Sequence, residues 1–179
     1  MAIPEFLKFH HAAKPQAAVG DTETVRKIVA ALDRMDPEHA RYVAAFAFIL
    51  CRVARADMHI SPSETQVMER VLVDRAGLPQ EQAILVVQMA KTQSTLFGGT
   101  EDFVVTREFN RLATRDQKLA LLDCLFAVAS DEMISTAEEN EISQICSELQ
   151  LEREDMVEMR AKYRDYRAVL KPATPPSQQ

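Results

Sequence analysis

Apolar residues recur at three- and four-residue steps along most of the chain, the spacing of one face of a helix. Val25, Ile28, Val29 and Leu32 predict a helix over about Asp21 to Arg34, with Asp21 as its cap. Asp36-Pro37-Glu38 restarts the chain with a capping carboxylate, a proline at the first helical position and an acid in the positive first turn. The helix that follows, to about Ala56, is apolar nearly all round through Val43, Phe46, Phe48, Ile49, Leu50 and Val53, so it belongs at the centre. Ser61-Pro62-Ser63-Glu64 opens a third helix, which Gly77 ends, and Pro79 opens a fourth reaching about Thr95. Gly98-Gly99 is the only double glycine and marks the midpoint. Beyond it, Thr100 is expected to cap a helix holding Phe103, Val104, Phe109 and Leu112. Thr114-x-x-Gln117 is a capping box for a helix to about Ala129, and Ser135-x-x-Glu138 opens another ending near Gln150. The last helix is expected over about Glu152 to Leu170.

The pattern therefore predicts an all-α fold, a compact bundle of about seven to eight helices. Residues 1–20 read as a flexible N-terminal segment, 21–170 as one helical domain with halves at about 21–96 and 100–170, and 171–179 as a proline-rich disordered tail. Four glycines in 179 residues fit helices joined by short connections. The net charge of −6 argues against a general nucleic-acid binder, which needs a concentrated basic surface. Cys51, Cys124 and Cys146 form no CxxC pair and sit among apolar neighbours, as small core residues in a reducing, cytoplasmic setting do. Residues 1–20 show no secretory signal pattern, and the longest apolar run, Tyr42 to Cys51, is about half a bilayer span.

A shift of 74 residues lays Asp57 on Asp131, and with it Ala56–Glu64 on Ser130–Glu138. Asp, Ile, Ser and Glu then coincide throughout the unit Asp-x-x-Ile-Ser-x-x-Glu, while outside it Arg41 meets Arg115, Met68 meets Ile142 and Val71 meets Ile145. The simplest account is a duplicated helical unit packed about a pseudo-twofold axis. Ser61 with Glu64, and Ser135 with Glu138, are explained as capping boxes, and Ile60 and Ile134 as the apolar residue that staples each turn. Asp57 and Asp131 are not so explained. Each ends a buried helix, where the dipole disfavours an acid, and each could serve an Asx-type turn, the amides of the next helix, or a cation. Four carboxylates supply hard oxygen ligands suited to Ca²⁺, Mg²⁺ or Mn²⁺, but an EF-hand is excluded by spacing. Counted from Asp57, positions 3, 6 and 12 of such a loop hold His59, Pro62 and Met68.

The paired units, each following a buried helix, resemble the TerB-like family, named for a tellurite-resistance protein, over about Asp21 to Arg167. The resemblance implies a compact helical bundle, a cytoplasmic bacterial protein and a role in metal- or tellurite-linked stress responses. It also implies divalent-cation binding by the acids of the motif, here Asp57, Glu64, Asp131 and Glu138. The family motif reads Asp-Gly, whereas Met58 and Glu132 follow the two aspartates here, so each turn must be built differently or carry strain. His59 adds a nitrogen donor to the first copy, and Glu132, Glu139 and Glu141 make the second more acidic and the better candidate for a single cation.

The chain offers no phosphate loop, HExxH zinc site or nucleophile–base pairing, so no enzyme is expected. The expected role is an interaction module with protein partners and no nucleic acid; peripheral association with a membrane complex is a further expectation. The alternative is a purely structural adaptor whose motifs only cap helices. His10-His11 and His39 read as surface residues, and Met156, Met159, Tyr163, Tyr166 and Leu170 as a packing stripe. Phe6, Leu7 and Phe9 give residues 1–14 a short amphipathic character.

Overall fold

The computed structural model describes residues 36–131 and 133–167. Within them lie seven α-helices: α1 (Pro37–Ala54), α2 (Pro62–Ala76), α3 (Gln80–Phe97), α4 (Asp102–Leu112), α5 (Arg115–Ala129), α6 (Thr136–Glu148) and α7 (Arg153–Lys162). The expected helix over 21–34, the N-terminal segment and the tail lie outside the described residues.

The local signals act as read. The Asp36 carboxylate accepts from the amides of Glu38 (3.0 Å) and His39 (3.1 Å) to start α1. Reciprocal capping boxes open α2, α5 and α6. Gly77, at φ +67°, ends α2 in the left-handed conformation that glycine adopts without steric cost. α1 is buried continuously from Ala45 to Ala54 and packs against α2, α3, α4, α5 and α6, as its all-round apolar character required. Phe46, Phe109 and Phe126 are among the largest side chains of the core, and the three cysteines are buried in it with no disulfide.

Two expectations are corrected. Thr100 does not cap α4: its hydroxyl turns back to donate to the Phe97 carbonyl (2.7 Å), while the Asp102 carboxylate takes the Gly99 amide (2.7 Å). Asp102 also pairs with Arg55 (3.1 Å), whose Nε donates to Ser94 (3.0 Å). A Cβ on Gly98 would stand 2.3 Å from that guanidinium, so glycine is what lets Arg55 close the midpoint of the chain. The last helix stops at Lys162, well short of Leu170. A 3-10 turn at Arg164–Tyr166 follows, and Arg167 then runs extended to form a parallel bridge with Ile134. The Ile134 amide donates to the Tyr166 carbonyl (2.7 Å), and Arg167 Nε donates to Glu139 (3.0 Å). The packing stripe accordingly covers Met156, Met159 and Tyr163 but leaves Tyr166 half-exposed.

Candidate functional site

In the first motif, Ser61 stands outside the helix and accepts from the Glu64 amide (3.0 Å), while Glu64 Oε2 accepts from the Ser61 amide (2.6 Å). The second motif repeats this with Glu138 to Ser135 (3.2 Å) and Ser135 to Glu138 (2.7 Å). Each glutamate is buried against its own helix start, with one oxygen committed to the cap.

The aspartates differ. Asp57 closes an Asx-type turn, its Oδ1 accepting from the His59 amide (3.0 Å), and Met58 between them is forced to φ +74°. That is the left-handed conformation glycine would have relieved, so the first turn does carry strain. Glu132, the matching residue of the second turn, lies outside the described residues. Asp131 instead reaches into the other copy. Ser61 donates to its Oδ2 (2.9 Å) and the hydroxyl of Ser63 bonds the same oxygen. Asp131 thus sits at the positive N-terminal end of α2, which offsets its unfavourable place beyond the end of α5. The two motifs, 74 residues apart, meet.

Burial pushes the Glu64 carboxyl up to about 7, against the hydrogen bonds from Ser61 that pull it down, and the neighbouring charges of Asp131 and Glu138 add to the rise. Burial likewise raises Glu138, again against its serine, with Asp57 and Asp131 adding to it. Glu64 therefore feels Asp131 and Glu138 across the junction, and Glu138 feels Asp57 and Asp131. Mutual repulsion among partly desolvated carboxylates is the electrostatic condition that a cation relieves. As the side chains lie, no three His, Cys, Asp or Glu among the described residues stand close enough together to hold a metal ion.

Two of the three further acids of the second copy, Glu139 and Glu141, are paired with arginines. Glu139 is held by Arg160 (2.9 Å) and by Arg167. Burial alone would raise its carboxyl, but these two guanidiniums bring it below the usual value. Glu141 pairs with Arg52 of α1. That arginine is only 2% exposed and also donates to Glu148 through both terminal nitrogens (2.7 and 3.1 Å) and to Thr106 (2.9 Å). Neither the cross-motif grip of Ser61 and Ser63 nor this buried cluster was anticipated. Their one visible signal was a mismatch under the 74-residue shift: Ser63 falls on Ala137, which has no hydroxyl, and Arg52 falls on Phe126.

No helix among the described residues is long and apolar enough to cross a membrane. Over residues 42–161 the sequence matches the family model described as TerB, tellurite resistance protein TerB. No curated protein and no solved structure matches the chain.

Proposed function

The chain belongs to the TerB family, and from that premise we propose that it is a non-catalytic interaction module whose junction between motifs responds to a divalent cation. The observation that carries this reading is the meeting of the two motifs, with Asp131 of one held by Ser61 and Ser63 of the other. Asp57, Glu64, Asp131 and Glu138 would hold the ion, and Ca²⁺, Mg²⁺ or Mn²⁺ suits their hard oxygens. Its contribution would be charge neutralisation, drawing together two halves whose acids otherwise repel. The setting we infer is a metal- or tellurite-linked stress response in the cytoplasm, with proteins as partners and the junction as the part of the surface that changes.

Calorimetric titration with Ca²⁺, Mg²⁺, Mn²⁺ and Zn²⁺, paired with thermal unfolding, tests the reading. Binding heat and a raised melting temperature are expected with at least one of the first three. Asp57→Asn combined with Asp131→Asn should weaken binding roughly tenfold or more while leaving both capping boxes in place. Absence of heat and of thermal shift at millimolar metal overturns the cation. If the double variant loses only stability and keeps partner binding, the motifs are caps and the chain is a structural adaptor.

A further inference from the structure

One end of the bundle opens into a cleft of about 600 Å³ that the cation reading does not use. Its floor is apolar, with Tyr42 and Phe46 of α1, Leu112 at the end of α4 and Ala120 of α5. Tyr42 stacks on Phe109 behind it (5.2 Å between ring centres), so this wall is rigid and continuous with the core. Ala76 closes one side from α2, and Asp36, Glu38 and Asp116 outnumber the single arginine, Arg75, on the rim, where His39 also lies.

We propose that this cleft is the docking site of the chain's own segment 21–34, seated through the apolar positions Val25, Ile28 and Leu32. Three observations carry it. The first is tethering: Asp36 is itself on the rim, and a segment ending at Arg34 lies within about 8 Å of it, at two residues of chain. Its local concentration at the cleft therefore exceeds that of any untethered partner. The second is chemistry: residues 21–34 place Val25, Ile28 and Leu32 at helical steps to match the apolar floor, with Arg26 and Lys27 beside them and the acids Asp21, Glu23 and Asp33 towards the ends of the segment.

The third is position. α4 precedes α5 through a two-residue connection and packs on α1 and α6. Under the sequence repeat, α1 answers to α5 and α6 to α2, so the segment preceding α1 belongs on α5 and α2. Those are the helices that contribute Ala76, Asp116 and Ala120 to the cleft.

The chain contains no tryptophan, so Leu32→Trp places a single fluorophore in the segment of the full-length protein. Docking predicts blue-shifted emission, weak quenching by acrylamide and no dependence on protein concentration. Adding Ala120→Asp on the cleft floor should then shift the emission towards that of exposed tryptophan, with far-UV circular dichroism reporting that the bundle is still folded. Emission typical of exposed indole in the single variant overturns the proposal. So does a buried signal that Ala120→Asp leaves unchanged, which would put the segment elsewhere. A blue shift that appears only on concentration also overturns it, by assigning the cleft to a segment from a second copy. If the double variant proves unfolded, Ala76→Arg at the side of the cleft replaces Ala120→Asp and is read in the same way.

Discussion

Glu64 is where a single proton matters most. Its carboxyl titrates near 7 in the folded chain, against an ordinary value of 4.5. Between those values the folded state keeps a proton that the unfolded state has released, so stability falls as pH rises through the window. Glu64→Gln keeps an acceptor for the Ser61 amide and removes the charge. It should flatten that part of the profile, as denaturant midpoints at about pH 5 and about pH 8 will show. Cation affinity should run the other way, strengthening as pH rises through about 7, because an ion must displace this proton. Met58 offers a second test at this scale. At φ +74° and 89% exposed it keeps the strain and little contact, so Met58→Gly should raise stability by about 0.5–1 kcal/mol in thermal melts. The familiar glycine after the aspartate was missed in the sequence for a good reason, since the backbone conformation it supplies is still there.

Helix starts were legible because their chemistry is local: Asp36, Ser61, Thr114 and Ser135 each act on amides two or three residues away. Thr100 misled because its hydroxyl turns back to the Phe97 carbonyl, and α4 begins at Asp102 with no side-chain cap. The end of α7 was not legible, since nothing local stops its apolar stripe; the bridge to Ile134 does, and that contact depends on which elements pack. The same holds for Arg52, the one charge within the buried stretch Ala45 to Ala54 of α1. Sequence pattern assigned α1 to the core but could not supply the acids of α6 that make a buried guanidinium tolerable. Arg52→Leu should cost about 3–5 kcal/mol, because it strands Glu148 and Glu141 without their cation. Arg52→Leu with Glu148→Leu should recover part of that loss in equilibrium unfolding.

At the scale of the whole molecule, the four acids were nameable in advance, but the meeting of their two motifs was not. Sequence similarity between two motifs carries no information about their separation in space, and only the packing of α2 against α5 brings Asp131 to Ser61 and Ser63. Ser63→Ala, which makes the first copy match the second at this position, should cost about 1 kcal/mol and leave Asp131 with one hydroxyl fewer, measurable as a lower denaturant midpoint. The Arg52 cluster has a consequence for ancestry and engineering alike. Under the 74-residue shift, Glu141 answers to Val67 and Glu148 to Asp74. A symmetric assembly of two first halves would thus offer Arg52 only the shorter Asp74 and a valine in place of two glutamates, and two second halves would have no guanidinium to offer. The two halves are complementary parts, so neither should self-assemble into a working bundle, although the two expressed as separate fragments should find each other.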